Sequence, residues 1–446
     1  MDVTQPLAKY LIASRYEDLP PEVVHEAQRA LLNWLGCAIG ASHHETVNNA
    51  VAALQPFFGP AQAQLLGRRE KVDALRAALI NGISSHVLDF DDTHARAVHV
   101  SAPLWPALLA YGEWKGDQHV AGKDLIHAFA LGVETEVRVA LSVFPEHYDK
   151  GYHITGTAGV FGAAAAIGKL LNLKEKQMVW ALGIAATQAA GLREMFGSMC
   201  KSFHPGSAAH NGFAAALMAQ QNFTSADAGI EGKRGFGHVM SSKFDPAVIT
   251  TGLGKSYELS QNMYKPFACG LVVHAAIDGC LQLKREHHLR GDEIKHIALR
   301  VNPLVLELTG NKKPRDGLQG KFSVFHACAA AIVHNAALEA QFADAVVNDP
   351  AVMAVRDKID ATADAAIRKL EAHVRMELND GRVLEKHVEH ALGSTVRPMS
   401  DADLEDKFRG LVAGVIPDEQ AQQLMELCWK FSTLNDAGEL PRAAAA

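Results

Sequence analysis

The chain has 446 residues, of which 48% are hydrophobic and 21% charged, and its formal net charge is −7. This length suits two domains with a large buried core, and a negative charge without a long basic run argues against nucleic acid as a partner. Six scattered cysteines without a CxxC pair argue against structural zinc and a disulfide scaffold. The acidic N-terminus and the lack of a long apolar stretch predict neither a signal peptide nor a membrane span. We expect a soluble, cytoplasmic protein with no membrane partner.

Residues 1–264 have mainly helical patterns. In PPEVVHEAQRALLNWLGCAIG, residues 20–40, apolar side chains recur at helical intervals, and Pro21 stands near the start. GTAGVFGAAAAIGKLLNL, residues 156–173, and KQMVWALGIAATQAAGL, residues 176–192, are rich in glycine and alanine. Because these side chains have little bulk, we expect an Ala-rich bundle in which helices approach one another closely.

After residue 264 the pattern becomes mixed. EIKHIALRV, residues 293–301, is typical of a strand, and HVRMELNDGRVLEKHV, residues 373–388, alternates around an Asn-Asp-Gly turn, which predicts a hairpin. Helical patterns lie between them, including one at NDPAVMAVRD. From Ser400, a candidate N-cap, the chain returns to amphipathic helices and closes on LPRAAAA, which we expect to be a frayed tail.

The order of helical, mixed and helical segments predicts a mainly α fold. A large Ala/Gly-rich helical domain comprises residues 1–264 and 396–446. A smaller α+β domain, residues 265–395, is inserted into it.

Acids and histidines crowd into LDFDDTHARAVH, residues 88–99. A calcium-binding EF-hand loop is excluded, because His94 and Val100 stand where that loop has glycine and glutamate. His94 and His99 are five positions apart and point in different directions on a helix, so we expect no metal site.

A helical turn is the remaining local interpretation of this segment. It places Asp89, Asp92 and Thr93 on one face, with Asp89 partly buried. Asp91 then points elsewhere, either into solvent or as the cap of the next helix.

Three other segments carry lysines and histidines that suit a carboxylate site. In MCKSFHPGSAAHNG, Lys201 and His204 flank a helix whose first turn holds the Pro-Gly pair, although Lys201 also fits a plain surface position. In YKPFACGLVVHAAIDG, Lys265 and His274 lie at the predicted domain boundary, although a lone histidine on an apolar face is more often a core residue. His153 stands just before the start of the small-residue helix.

GLGKS, residues 252–256, lacks the first glycine of a phosphate loop, so no nucleotide cofactor is expected.

Seven of these segments occur together in an order that resembles the MmgE/PrpD family, over nearly the whole chain. They are PPEVVHEAQRALLNWLGCAIG, SSHVLDFDDTH, GYHITGTAGVFGAAAAIGKLL, KSFHPGSAAHNG, YKPFACGLVVHAAIDG, GKFSVFHACAAAI and SDADLEDKFRGL. The family includes 2-methylcitrate dehydratase, cis-aconitate decarboxylase and iminodisuccinate epimerase. The resemblance implies a homodimer with a large helical domain, a smaller α+β lid, and an active site between them.

The resemblance also implies which residues form the site. The implied catalytic residues are Asp89, Thr93, His99, His153 and Lys201, and the implied substrate-binding residues are Lys265, His274 and His204. This chain departs from many relatives at Gly270, Leu271 and Val272, where they carry polar residues, and at His94, where some carry tryptophan. Substrate contacts from the 270–272 loop are therefore expected to be absent or different.

The implied activity is that of a lyase, a dehydratase or decarboxylase, which acts without cofactor or metal on a small anionic carboxylate. His99 or His153 would move the proton through an enolate-like intermediate, and Lys201 would hold a carboxylate. Asp89 and Thr93 would orient the histidine or bind the substrate. An epimerase of an iminodisuccinate-like dicarboxylate is the alternative, and a catalytically inactive dimeric binding protein of the same fold is the second alternative.

Overall fold

The computed structural model describes residues 1–96 and 98–446, and the fold in these residues is mainly α. In chain order the helices are α1 Thr4–Ala13, α2 Pro21–Gly40, α3 Glu45–Leu54, α4 Ala74–Val87, α5 Ser101–Trp114, α6 Gly122–Val143, α7 Glu146–Asp149, α8 Ile154–Leu170, α9 Glu175–Ala186, α10 Cys200–Gln220, α11 Phe236–Met240, α12 Ala247–Thr250, α13 His274–Glu286, α14 Pro303–Thr309, α15 Gly317–Gly320, α16 Val324–His334, α17 Asp344–Val347, α18 Pro350–Arg356, α19 Asp401–Val412, α20 Asp418–Trp429 and α21 Glu439–Ala443. Within the described residues, no helix is long and apolar enough to cross a membrane.

The strands form one four-stranded sheet and two small ribbons. They are β1 Ala63–Gln64, β2 Lys71–Val72, β3 Thr93–His94, β4 Asn262–Met263, β5 Ile294–Val301, β6 Ile359–Ala363, β7 Ala372–Leu378 and β8 Val383–Val388. The larger sheet has the order β6-β5-β7-β8, in which β5 and β6 are parallel and the other pairs antiparallel. The predicted strand and the predicted hairpin are confirmed as β5 and as β7–β8, whereas β6 was not foreseen.

The small-residue helix α8 lies at the centre of the helical part and packs against α6 and α10. At Gly162, a Cβ atom would lie 2.8 Å from the carbonyl oxygen of Gly132 on α6. At Gly212, on α10, it would lie 2.6 Å from the carbonyl oxygen of Val160. Real side chains do not approach so closely, so glycine allows the helix backbones to come together. The predicted close packing is confirmed.

The buried apolar residues form two clusters. One draws on residues 3–264 and 399–444, and the other on residues 267–391 together with five residues at and just after the ends of α2 and α4: Cys37, Ala41, Val87, Leu88 and Phe90. The predicted division into residues 1–264 plus 396–446 and residues 265–395 remains a proposal, which these clusters support.

The C-terminal tail differs from the expectation. Residues 439–443 form α21, and Leu440 and Ala444 are fully buried. The Gln420 side-chain amide donates hydrogen bonds of 2.7 Å and 2.6 Å to the carbonyl oxygens of Ala443 and Ala445. The prediction of a frayed tail was wrong, because alanine-rich ends can still pack when a neighbouring helix supplies partners.

A buried acid on α6 gives a prediction on stability. Both carboxyl oxygens of Glu136 are buried and have no hydrogen-bond partner among the described residues. Burial raises the pKa of Glu136 well above its ordinary value of 4.5, and Asp92 raises it further. The native state therefore keeps this proton at a pH where the unfolded chain releases it, so stability is lost as pH rises above the ordinary value.

We expect Glu136→Gln to remove this loss, because glutamine does not ionise. The difference in free energy of unfolding between variant and wild type should grow by about 1.4 kcal/mol per pH unit above the ordinary pKa. Urea unfolding at several pH values measures it, with Glu45→Gln as the control, since Glu45 is an exposed residue at the start of α3. A parallel pH dependence in wild type and Glu136→Gln would contradict an uncharged Glu136.

Candidate active site

The segment after α4 is a buried loop, not a helical turn. Helix α4 ends at Val87, and Asp89 adopts a left-handed backbone conformation with a φ of 50°. Aspartate tolerates this region better than most residues, since its short side chain bonds locally. Thr93 then pairs with Met263 in the β3–β4 ribbon. The predicted shared helical face of Asp89, Asp92 and Thr93 was therefore wrong.

Asp89 is held by two buried lysines. Lys201, on α10, donates a 2.8 Å hydrogen bond from Nζ to Oδ1 of Asp89. Lys265 donates to the same oxygen at 3.0 Å and to the Asp89 carbonyl at 2.9 Å. Burial alone would raise the pKa of Asp89, but the two ammonium groups outweigh it and hold the pKa below its ordinary range. Asp89 is thus a carboxylate, and two cations share it.

Asp91 lies between two histidines. Its Oδ2 is 2.9 Å from Nδ1 of His86 and 3.1 Å from Nδ1 of His99. Burial favours a neutral Asp91, but the two imidazoles lower its pKa well below the ordinary value. Asp91 is fully buried, so its predicted contact with solvent was wrong.

His86 connects this aspartate to the lysine. Its Nε2 lies 2.9 Å from Nζ of Lys201, and burial lowers the pKa of His86 to about 3 although Asp91 opposes this. A neutral His86 therefore accepts from Lys201 on one side and donates to Asp91 on the other. The result is a continuous line of contacts from Asp89 through Lys201, His86 and Asp91 to His99.

The third aspartate of the loop bonds to the start of a helix. Oδ2 of Asp92 accepts a 2.6 Å hydrogen bond from Oγ of Ser101, the first residue of α5, and a 2.7 Å bond from Nδ2 of Asn262. Burial raises the pKa of Asp92 to about 6, against the effect of these donors. The backbone N–H of Ser101 also donates a 3.3 Å hydrogen bond to Oδ1 of Asp92, so Asp92 bonds to the start of α5 although the N-cap position itself is Val100. Asp91, for which the sequence left a capping role open, does not take it.

His153 and His204 form a second pair. Their Nδ1 atoms are 2.8 Å apart, so one ring donates and the other accepts. Burial, reinforced by Lys201, lowers the pKa of His153 well below its ordinary value and that of His204 to about 4. His153 precedes α8, and His204 lies inside the first turns of α10, which begins at Cys200. The predicted helix start at the Pro-Gly pair was too late.

Asp89, its two lysines, His99 and His153 all line one cavity. The volume of this cavity is about 200 Å³, a size that suits a small metabolite. Its wall comes from both parts of the chain, residues 89–201 and residues 265–370. Six of the predicted site residues reach it: Asp89, Thr93, His99, His153, Lys201 and Lys265.

Two of the predicted substrate-binding residues lie behind the wall. His204 contacts the His153 ring. Nε2 of His274 lies 3.3 Å from the Cys269 carbonyl, and burial lowers the pKa of His274 to about 3. Their positions suit support of the cavity rather than contact with a substrate.

His86 was not predicted from the sequence, although it lies within the quoted motif SSHVLDFDDTH. One local signal existed, since His86 precedes Asp89 by three positions and closes the last turn of α4. Nothing local showed that Lys201, 115 positions away, would meet its ring.

His86, Asp91 and His99 are also near enough to be considered as metal ligands, because their ligand atoms lie within 4.8 Å of one another. Both ring nitrogens of His86 are engaged, one with Oδ2 of Asp91 and the other with the Lys201 ammonium, whereas Oδ1 of Asp91 and Nδ1 of His99 have no hydrogen-bond partner among the described residues. A divalent cation here would face that ammonium at short range. The prediction of a metal-free site stays a prediction.

Fold and cavity together define a mainly helical protein with a small cavity that is lined by lysines and histidines at its floor. Residues 5–249 match the MmgE/PrpD N-terminal domain, and residues 267–430 match the MmgE/PrpD C-terminal domain. The chain belongs to the MmgE/PrpD family, and the resemblance read from its motifs is confirmed.

Relatives match along almost the full length of the chain. A cis-aconitate decarboxylase-like protein of Aspergillus oryzae is 26% identical over 98% of this chain and 96% of its own. The cis-aconitate decarboxylase of Homo sapiens is 24% identical over 98% and 93%, respectively. The 2-methylcitrate dehydratase of Cupriavidus necator is 22% identical over 92% and 90%. The relatives thus include decarboxylases and a dehydratase.

Proposed function

We propose that this protein is a lyase that removes water or carbon dioxide from a small carboxylate by acid/base catalysis. The line of contacts from Asp89 to His99, which ends at the cavity, carries this proposal. Full-length similarity to decarboxylases and a dehydratase supports it.

Lys201 and Lys265 bind the substrate carboxylate in this proposal. Together they carry two positive charges, of which Asp89 balances one. Each ammonium group has three N–H donors, and Lys201 uses one on Asp89 and one on His86. The third N–H donor of Lys201 is available to a substrate carboxylate. The positive charge of the ammonium group stabilises the enolate-like anion that forms next to that carboxylate.

His99 moves the proton. Its ring is partly exposed in the cavity, whereas Nδ1 faces Asp91. Asp91 fixes the ring and stabilises the imidazolium that forms when His99 accepts a proton. His153 stays neutral, because burial and Lys201 disfavour its charged form, and it serves as a polar lining residue of the cavity.

The protein acts as a homodimer in this proposal, with the segment 265–395 as the lid. Support for a lid comes from the cavity, which is lined by this segment on one side and by residues 89–201 on the other. A carboxylate bound at the floor would therefore touch both parts.

Proton NMR in deuterated buffer containing a chelator tests the activity. The panel contains citrate, 2-methylcitrate and cis-aconitate, then citramalate and citraconate as alkyl dicarboxylates, and finally iminodisuccinate. We expect at least one compound to lose water or carbon dioxide, and the Lys201→Met variant, assayed alongside, to be far slower. Activity that is absent with the chelator but present in a parallel assay with metal and no chelator would overturn the metal-free site. Deuterium entering an otherwise unchanged substrate would indicate the alternative, an epimerase, and no reaction of any compound in either assay would contradict the lyase.

A further inference from the structure

The cavity above its floor is lined by apolar side chains. This apolar wall consists of Phe144, Phe196, Leu271, Leu304, Leu308 and Phe322. Leu304 and Leu308 are four positions apart on α14 and so project from one face of that helix. All six side chains of this apolar wall are only partly buried. They therefore present apolar surface to a molecule that occupies the cavity.

Positive charge is confined to the two ends of the cavity. At the floor, Lys201 and Lys265 share Asp89, which leaves one net positive charge there. At the rim, Arg96 pairs with Glu258 at 3.2 Å, and the Lys369 ammonium lies 5.4 Å from the centre of the Phe144 ring. The Lys201 ammonium lies 5.5 Å from the ring centres of Phe196 and Phe322, so this part of the apolar wall borders the floor. Leu304 and Leu308, on α14, add only hydrocarbon to the cavity lining.

We propose that the substrate carries no more than two carboxylates and an alkyl or aryl branch that packs against the apolar wall. One carboxylate binds at the floor, and a second, where present, points to Lys369 at the rim. The proposal rests on the carboxylate chemistry proposed above and narrows its substrate class.

The physical reason is desolvation. A third carboxylate placed against Leu304 and Leu308 would lose its water and gain no hydrogen-bond donor from these side chains. A hydrocarbon branch of the same shape gains contact with this surface and leaves no polar group unpaired. The wall therefore selects against tricarboxylates.

The test compares two ligands that differ in this branch alone. 2-Isobutylmaleate has the skeleton of cis-aconitate with the carboxymethyl group replaced by an isobutyl group of the same size and branching. Isothermal titration calorimetry on the full-length protein measures both dissociation constants. We expect the dissociation constant of 2-isobutylmaleate to be lower than that of cis-aconitate by a factor of about ten or more. Equal binding, tighter binding of cis-aconitate, or no binding of either ligand would overturn the proposal.

A variant pair locates the effect. Leu304→Arg puts a cation on the apolar wall and should shift the ratio of the two dissociation constants toward cis-aconitate by about tenfold. Leu306→Arg, on the same helix, is the control, since Leu306 lines a neighbouring pocket and not this cavity. An unchanged ratio in Leu304→Arg, or an equal shift in both variants, would contradict the role of the wall.

Turnover separates this proposal from the lyase. If 2-isobutylmaleate binds more tightly but neither ligand nor any compound of the NMR panel reacts, the proposed lyase activity is contradicted and the proposed ligand class is supported. If cis-aconitate binds more tightly and is converted, the lyase activity is supported and the proposed preference for an apolar branch is contradicted.

Discussion

Replacing Lys201 by methionine is expected to lower kcat/KM by about 10²–10³-fold, the usual effect of removing one donor to a developing negative charge. The ammonium group of Lys201 contacts both Asp89 and His86 at the floor of the cavity. Methionine keeps the length of the side chain but offers no proton and no charge. Steady-state kinetics on the substrate found by NMR measures the loss.

The variant should still fold, because Lys265 continues to pair with Asp89. Lys176→Met is the matched control, since Lys176 is an exposed lysine that pairs with Asp227 away from the cavity. We expect the control to have wild-type kinetics. Similar activity in Lys201→Met and Lys176→Met, with both proteins folded, would remove Lys201 from the mechanism.

Replacing His99 by asparagine is expected to lower kcat by about 10²–10⁴-fold, the contribution typical of general acid–base catalysis. Asparagine can still bond to Asp91 but transfers no proton at neutral pH. KM should change little, because the carboxylate is held by the lysines. The control is His238→Asn on the exposed side of α11.

Two further variants show which group carries the proton. Asp91→Asn removes the charge beside the ring and should lower kcat while KM stays close to wild type. His153→Asn should cost less than His99→Asn, because His153 is buried and neutral. A fully active His99→Asn together with an inactive His153→Asn would assign the proton to His153 instead.

The site depends on residues that are far apart along the chain. The contact of Lys201 with Asp89 spans 112 positions, and that of Lys265 with Asp89 spans 176. Lys201 belongs to α10 of the helical part, whereas Lys265 opens the segment 265–395 and stands in the chain between Tyr264 of one hydrophobic cluster and Phe267 of the other. A change in packing at this boundary would therefore alter the charge balance at the floor directly.

The order of the elements and the family membership can be predicted from the amino-acid sequence alone. The helical periodicity of residues 20–40, the small residues of α8, the β7–β8 hairpin and the Ser400 cap all depend on neighbours a few positions away. Such local preferences are encoded in short segments and are readable from them. Family membership likewise follows from motifs that keep their order in the chain.

The contacts and charge of each polar side chain in the site follow from the tertiary structure and not from the local sequence. Asp89, Asp91 and Asp92 lie within four positions, yet one binds two lysines, one lies between two histidines, and one bonds to the start of a helix. Their environments differ because each meets partners from a different distant segment, and burial strengthens each of these contacts. The parallel pairing of β5 with β6 and the apolar wall of the cavity were settled in the same way. Local patterns carry no information on which distant residues pack against them, and that packing sets the charge of each polar group.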